Sequence, residues 1–80
     1  MAVAAYLFIN TETTKEQEVV NTLSKIDGVK HAHIVTGEYD IICYIGGKDL
    51  NEVKRIIIKD IRVVPGIQRT VTSFALDVDT

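Results

Sequence analysis

Apolar residues are distributed along the chain in two alternating patterns. Residues 2–9, 29–36, 41–45 and 67–76 are rich in β-branched and aromatic side chains, which is typical of β-strands. Between these segments, apolar residues recur at helical spacing, first at Val19, Val20, Leu23 and Ile26 and then at Leu50, Val53, Ile57, Ile61 and Val64. This order predicts a ferredoxin-like α+β fold, βαββαβ, with a four-stranded antiparallel sheet and two helices on one face.

Polar residues and glycines predict where the helices begin and end. Thr13 and Glu16 have the spacing of a capping box before the first helix, which should extend to about residue 26. Asp49 is the expected N-cap of the second helix, with Glu52 three residues later. The pair Gly46-Gly47 is expected to end the third strand, and residues 77–80 to form a polar tail.

A weak internal repeat supports the same topology. Gly28 and Gly66 follow the two predicted helices in equivalent contexts, 38 residues apart, and the same offset relates Tyr6 to Tyr44. Two strand–helix–strand halves in one split βαβ domain would produce this pattern. Residues 1–80 are therefore expected to form a single domain.

Strands one and three are apolar on both of their faces. Two helices can cover only one face, so side chains such as Tyr6 and Phe8, or their alternates, are expected on a face that still needs a cover. A second copy that packs sheet against sheet is the simplest cover, which predicts a homodimer; a monomer with an apolar face is the alternative. Ile56 and Ile58 flank the apolar stripe of helix two, where they either widen the core or make a contact between dimers.

Composition narrows the function classes. The chain has 80 residues, 46% of them hydrophobic, and a formal net charge of −2, with no basic stripe that would bind phosphates. Direct nucleic-acid binding is therefore not expected. The apolar run at residues 1–9 is too short to span a bilayer and lacks the features of a signal peptide. The single cysteine, Cys43, cannot form an intramolecular disulfide, so a cytoplasmic location is expected.

Few residues indicate catalytic or metal chemistry. His31 and His33 lie on the same face of a strand and could fill two ligand positions of a metal, but the sequence offers no third ligand beside them. Cys43 stands in the run Ile41 to Ile45 and is interpreted as a small core residue. No nucleophile–base pair and no phosphate loop is evident. The sequence thus predicts no catalytic residues, no metal site and no cofactor.

The segment between strands two and three is open to two interpretations. A tight hairpin explains Gly37 and Asp40 by turn chemistry and leaves Glu38 in solvent. Alternatively, a carboxylate at the end of a sheet, beside several turn amides, could bind the ammonium and carboxylate groups of a zwitterion.

Two motifs together resemble a known family. The run Gly37-Glu38-Tyr39-Asp40 after a Val/Ile-rich strand, followed by Pro65-Gly66-Ile67-Gln68-Arg69-Thr70-Val71-Thr72-Ser73, is similar to the C-terminal effector (RAM) domain of the Lrp/AsnC family. The resemblance covers nearly the whole chain, in order. Because no helix-turn-helix segment is present in the 80 residues, the chain resembles the stand-alone form of that domain.

The resemblance implies an amino-acid-sensing regulatory module of the dimeric α/β barrel type. It implies dimers formed through the sheet, rings of dimers, and an amino acid bound where dimers meet. The ligand-binding residues would be Gly37, Glu38, Tyr39 and Asp40, with the hydroxyls of Thr70 and Thr72 supplied by a neighbouring subunit. It further implies indirect control of transcription, by co-assembly with a full-length Lrp-type regulator.

Two other functions compete with this one. A small monooxygenase-like enzyme on the same dimeric scaffold would use His31 or His33, and would need a roomy cavity between sheet and helices with a histidine pointing into it. A purely structural oligomerisation module without a ligand site is the third candidate. The many large aliphatic residues favour a filled interior over an enzyme cavity.

Overall fold

A computed structural model of the chain describes residues 2–76. Its strands are β1 (Val3–Thr11), β2 (Val29–Ile34), β3 (Ile41–Gly47) and β4 (Ile67–Phe74). Helix α1 (Glu16–Leu23) joins β1 to β2, and helix α2 (Leu50–Arg55) continues as a π-helical segment, Ile56–Ile61, before β4. The predicted βαββαβ order is confirmed. No helix in this part of the chain is long and apolar enough to cross a membrane.

The strands form one antiparallel sheet in the order β2-β3-β1-β4. The two strands that are apolar on both faces, β1 and β3, therefore lie in the centre, where neighbours cover both of their edges. Side chains on one face of the sheet pack with those of the helices. This core is formed by Ala5, Leu7, Ile9, Val19, Val20, Leu23, Ile41, Cys43, Ile45, Val53, Ile56, Ile57, Ile61 and Val64.

The other face of the sheet, called the open face below, has no helix of residues 2–76 against it. Because neighbouring side chains along a strand alternate between faces, the register assigns its members unambiguously. They include Tyr6, which is 44% exposed and packs on Tyr44 with ring centroids 4.8 Å apart. The full set is Ala4, Tyr6, Phe8, Asn10, His31, His33, Ile42, Tyr44, Arg69, Val71 and Ser73.

The predicted start of the first helix is wrong. Lys15 is the N-cap and makes no side-chain capping hydrogen bond, so Thr13 and Glu16 form no capping box. Thr14 adopts a left-handed φ of 69°, which turns the chain before the helix begins. The helix also ends earlier than predicted, at Leu23.

The second helix begins as predicted, since the Glu52 amide donates to the Asp49 carboxylate at 2.8 Å. The Glu52 side chain in turn accepts from the Lys48 amide at 2.7 Å. Leu50, however, is 49% exposed and does not belong to the buried stripe. The pair Gly46-Gly47 does not interrupt the strand: both glycines belong to β3, which ends at Gly47, and they pair with Ala4 and Val3 in the sheet.

The π-helical segment changes which isoleucines reach the core. The Arg62 amide donates to the Ile57 carbonyl, five residues back, at 2.9 Å. This wider turn brings Ile56, Ile57 and Ile61 to the buried side, while Ile58 remains 51% exposed. Ile56 therefore widens the core, as one of the two sequence interpretations held.

The internal repeat is visible in the turns that follow the two helices. Gly28 and Gly66 both have φ +97°. In both turns the residue after the glycine donates its amide three residues back, from Val29 to Ile26 and from Ile67 to Val64. The same turn conformation therefore occurs twice, 38 residues apart. The predicted polar tail, residues 77–80, lies outside the described residues.

Candidate functional site

The segment between β2 and β3 is bound to the end of β1. The Asp40 amide donates to the Ile9 carbonyl at 2.9 Å, and the Thr11 amide donates to Asp40 Oδ2, also at 2.9 Å. The Thr11 hydroxyl lies 3.5 Å from the same oxygen. Thr11 stands at a bulge, where the pairing of β1 with β4 shifts register. The Asp40 carboxylate therefore caps an irregular strand end, and its second oxygen accepts no hydrogen bond within residues 2–76.

Two further contacts fix this segment, which we call the 37–40 loop. The Asn10 side-chain amide donates to the Glu38 carbonyl at 2.9 Å. The Tyr39 ring packs on Phe8 with ring centroids 5.3 Å apart. The loop is thus held at its base by polar contacts and at its side by an aromatic one, although Gly37 and Glu38 are exposed.

The loop presents backbone donors to the surroundings. Within residues 2–76, the amides of Thr36, Gly37, Glu38 and Tyr39 donate to no protein acceptor. Gly37 has φ +121°, a conformation that few side chains permit, so the chain can turn sharply here. Successive amides in such a turn make a concave group of donors that suits an anion such as a carboxylate.

The two threonines of the predicted site lie elsewhere in the same chain. Thr70 pairs with Ile9 and Thr72 with Leu7, so both side chains are on the helix-covered face of β4, and both are partly buried. Thr70 and the 37–40 loop are on opposite sides of β1. Because adjacent strands lie about 4.8 Å apart, two strand spacings separate Thr70 from the loop by roughly 10 Å. One chain does not bring these two halves of the predicted site together.

The sequence interpretation missed Asn10 and Thr11, the residues that hold the loop in place. The available signal was weak but real, because these are the first polar side chains after the apolar run that ends at Ile9. Polar residues at the end of a central strand are candidates for contacts with the neighbouring loop. Nothing in the sequence spacing showed that the loop 29 residues later would be the one they meet.

The other candidate residues are placed clearly. Cys43 is fully buried on the helix-covered face, and its burial raises the pKa of the thiol to about 11, so it remains protonated. His31 and His33 lie on the open face and are exposed, outside the space between sheet and helices. Residues 2–76 contain no group of three or more side chains that could hold a metal ion.

Residues 4–78 match the family model described as "Lrp/AsnC ligand binding domain". The chain belongs to the Lrp/AsnC ligand-binding domain family. An uncharacterised HTH-type transcriptional regulator of Pyrococcus horikoshii is 34% identical over 76 residues, which are 95% of this chain and 48% of that protein. The chain thus spans about half the length of this regulator.

Two solved structures have the same fold. The crystal structure of FFRP-DM1 is 36% identical, covers 92% of this chain and 99% of its own, and superposes with a TM-score of 0.88. A transcriptional regulator from Neisseria meningitidis, solved as a complex with L-Met, superposes with a TM-score of 0.82 over 94% of this chain and 50% of its own. At 19% identity, that second likeness concerns the fold alone.

An enzyme also contains a related segment. Homocitrate synthase of Sulfurisphaera tokodaii is 43% identical over 58 residues, which are 72% of this chain but only 12% of that enzyme. The similarity therefore covers a small part of the synthase. Domains similar to this chain occur both in proteins named as transcriptional regulators and in a protein named as a biosynthetic enzyme.

Proposed function

We propose that the chain is a non-catalytic sensor module that binds an amino acid and passes on its occupancy through assembly with other subunits. The observation that carries the proposal is the 37–40 loop, where several backbone amides and the second oxygen of Asp40 have no hydrogen-bond partner within residues 2–76. Transcription would be affected indirectly, through co-assembly with full-length Lrp-type regulators.

The two kinds of relative support a sensor over other roles. A regulator that binds DNA and a synthase that makes a metabolite share no chemistry. What a similar domain can contribute to both is recognition of a small molecule, such as a product whose level must be sensed. The L-Met bound by the Neisseria protein of the same fold gives an amino acid as the first class to test.

The loop offers groups that complement a zwitterion. The amides of Gly37, Glu38 and Tyr39 would bind the ligand carboxylate, and Asp40 its ammonium group. Hydrogen bonds with charged partners contribute about 1.5–3 kcal/mol each, enough to fix the orientation of a small ligand. Thr70 and Thr72 would come from a neighbouring subunit, because within one chain β1 separates them from the loop.

The positions of the histidines favour a sensor over the monooxygenase-like enzyme. Catalysis in a cavity between sheet and helices would require His31 or His33 to point into it, and both lie on the opposite face. That interior is filled by aliphatic side chains such as Leu7, Ile41 and Ile61, which are fully buried. A purely structural module without a ligand site would have the same fold. The binding experiment below distinguishes it from an amino-acid sensor.

Assembly is proposed to begin with a homodimer through the open face. Tyr6, Phe8, Ile42 and Tyr44 form a continuous apolar and aromatic centre on this face, and neither helix of the described part of the chain covers it. Rings of dimers would follow, with the effector bound where dimers meet. The proposed setting is the cytoplasm, with neither nucleic acid nor membrane as a direct partner of this chain.

A thermal-shift screen against the twenty amino acids tests the proposal. A ligand that binds only the folded state stabilises it by about 2.7 kcal/mol at a hundredfold excess over Kd, which raises the unfolding temperature by several degrees. We expect one amino acid or a few of similar shape to do so, and calorimetry should then give a saturable isotherm. If none of the twenty shifts the transition, the amino-acid sensor is refuted and the structural module is favoured.

A further inference from the structure

The 37–40 loop and the open face share two contact residues of β1. Phe8 and Asn10 belong to the open face, because Ile9 between them is fully buried on the core side. The Tyr39 ring packs on Phe8 with ring centroids 5.3 Å apart. The Asn10 side-chain amide donates to the Glu38 carbonyl at 2.9 Å. A subunit packed on the open face would therefore change the surroundings of two contacts that hold the loop.

The remaining contacts of the loop are made at its base, within one chain. The Val35 amide donates to the Asp40 carbonyl, and the Asp40 amide donates to the Ile9 carbonyl, both at 2.9 Å. The Thr11 amide donates to the Asp40 carboxylate. These bonds leave Gly37, farther along the loop, exposed. How firmly the loop is held beyond its base therefore depends on the two contacts with the open face.

We propose that the sheet-to-sheet homodimer orders the 37–40 loop through Phe8 and Asn10, so that the effector binds the dimer more tightly than the single chain. Both residues are half-buried in the single chain, so water competes for their contacts. A partner subunit over Phe8 restricts the ring on which Tyr39 packs. Exclusion of water from Asn10 strengthens its hydrogen bond to the loop. A loop that is already ordered loses less conformational entropy when a ligand binds.

This inference rests on the proposed function, from which it takes both the dimer and the effector loop. It adds the direction of the coupling and the residues that transmit it. Because linkage is reciprocal, an effector that binds the dimer more tightly must strengthen the dimer by the same factor. Coupling between two sites is commonly about fivefold to 150-fold. The two assembly steps of the proposed sensor therefore follow an order, in which the dimer forms the competent loop and the effector then binds to it.

Hydrogen exchange measures the ordering of the loop without any ligand. The amides of Thr11 and Asp40 are bonded at the base of the loop, so they exchange when the loop opens. The Gly46 amide, which donates to the Gly28 carbonyl, is the reference, because Gly46 pairs with Ala4 near the start of β1. Relative to this reference, we expect the loop amides to exchange at least about fivefold more slowly in the wild-type dimer than in the monomeric variant Tyr6→Asp.

A double-mutant cycle shows which residues transmit the effect. Asn10→Ala and Tyr39→Ala are each made in the wild type and in Tyr6→Asp, and each dimer is measured well above its Kd from sedimentation. Coupling predicts that both substitutions speed the exchange of the loop amides much more in the dimer than in the monomer. Support within one chain alone predicts the same factor in both. Ser73→Ala is the matched control, since Ser73 lies on the open face beside Tyr6 and should leave the exchange unchanged.

Calorimetry with the best amino acid from the screen gives the second readout. We expect its Kd to be at least about fivefold lower for the wild type than for Tyr6→Asp. The proposal is overturned if these Kd values are equal, if the loop amides are protected no more than the Gly46 amide in the dimer, if the cycle shows equal factors, or if the wild type is a monomer. If no amino acid binds, the sensor function is refuted, and the exchange cycle still decides whether the dimer orders the loop.

Discussion

Asp40 is the residue at which folding and the proposed ligand site meet. One of its carboxylate oxygens accepts the Thr11 amide at the irregular end of β1, and the other accepts no hydrogen bond within residues 2–76. A turn interpretation and a binding interpretation of this residue are therefore compatible, because each uses a different oxygen. The sequence predicted that Asp40 mattered, but its partner could not be predicted, because Thr11 lies 29 residues away.

Two substitutions at Asp40 separate the roles of its oxygens. Asp40→Asn keeps a carbonyl oxygen for the Thr11 amide, so stability should change little, while loss of the charge should weaken effector binding by about tenfold or more. Asp40→Ala removes both oxygens and should also cost about 1–2 kcal/mol of unfolding free energy. Urea denaturation and calorimetry with the best amino acid from the screen measure the two effects.

Glu12→Gln is the control for the change of charge. Glu12 is exposed, lies one residue beyond Thr11, and its side chain makes no hydrogen bond within the described part of the chain. The substitution removes one negative charge near the end of β1 and leaves the residues of the 37–40 loop unchanged. Equal effector affinity in the wild type and Asp40→Asn would mean that Asp40 serves only the strand end.

At the scale of the elements, the sequence predicted helix and strand ends correctly where these depend only on residues close together in the chain. Asp49 caps α2 as expected, because the cap and the amide that it accepts are three residues apart. Thr13 failed as a cap because the chain turns through Thr14, at φ 69°, to bring α1 over the sheet. The Gly46-Gly47 pair was expected to end the strand, yet both glycines pair with Ala4 and Val3 of β1 and so belong to β3. In both failures tertiary packing overrode a local preference.

The turns at Gly28 and Gly66, which follow the two helices, should respond in the same way to substitution of their glycines. At Gly28 and Gly66, a Cβ would be strained at φ +97° and would also meet a buried neighbour, Ile56 in the first turn and Val19, at 2.9 Å, in the second. At Gly37, φ is +121°, but apart from its two chain neighbours no described residue has a heavy atom within 4 Å of such a Cβ. Alanine at Gly37 should therefore cost about 1–2 kcal/mol from backbone strain, and at Gly28 or Gly66 about 2–4 kcal/mol.

Urea unfolding of the three alanine variants measures this difference. The expected order puts Gly37→Ala nearest to the wild type, with the two repeat turns clearly lower and similar to each other. Such a result would show that the helix–strand turns are equivalent in energy as well as in shape. If Gly37→Ala were the most destabilised of the three, the argument from packing would fail.

At the scale of the whole molecule, the fold was predictable and the site was only partly so. Hydrophobic spacing predicted four strands and two helices, and the two strands that it showed to be apolar on both faces, β1 and β3, are the central ones of the sheet. The proposed site was harder to predict, because in our proposal two subunits form it. The 37–40 loop and Thr70 lie on opposite sides of β1, so their joint action requires a second subunit, whose position no spacing in one sequence specifies.

The open face provides the test of assembly. Tyr6 lies at its centre, beside Tyr44 and across from Ser73, and is 44% exposed. Because its side chain is accessible in the single chain, Tyr6→Asp should leave the fold intact. In a sheet-to-sheet dimer, however, the same aspartate would be a buried charge without a partner, which costs several kcal/mol. We expect the dimer Kd to rise at least a hundredfold, which corresponds to about 2.7 kcal/mol.

Sedimentation equilibrium at micromolar concentration decides the question. The wild type should contain no detectable monomer, and Tyr6→Asp should be largely monomeric with an unchanged circular dichroism spectrum. Leu50→Asp is the matched control, since Leu50 is 49% exposed but stands at the start of α2, away from the open face, where an acidic residue is well tolerated. A variant at Leu50 that dissociates as Tyr6→Asp does would place the interface on the helical side. A wild type that sediments as a monomer would remove the sheet-to-sheet dimer altogether, and with it the subunit that brings Thr70 to the 37–40 loop.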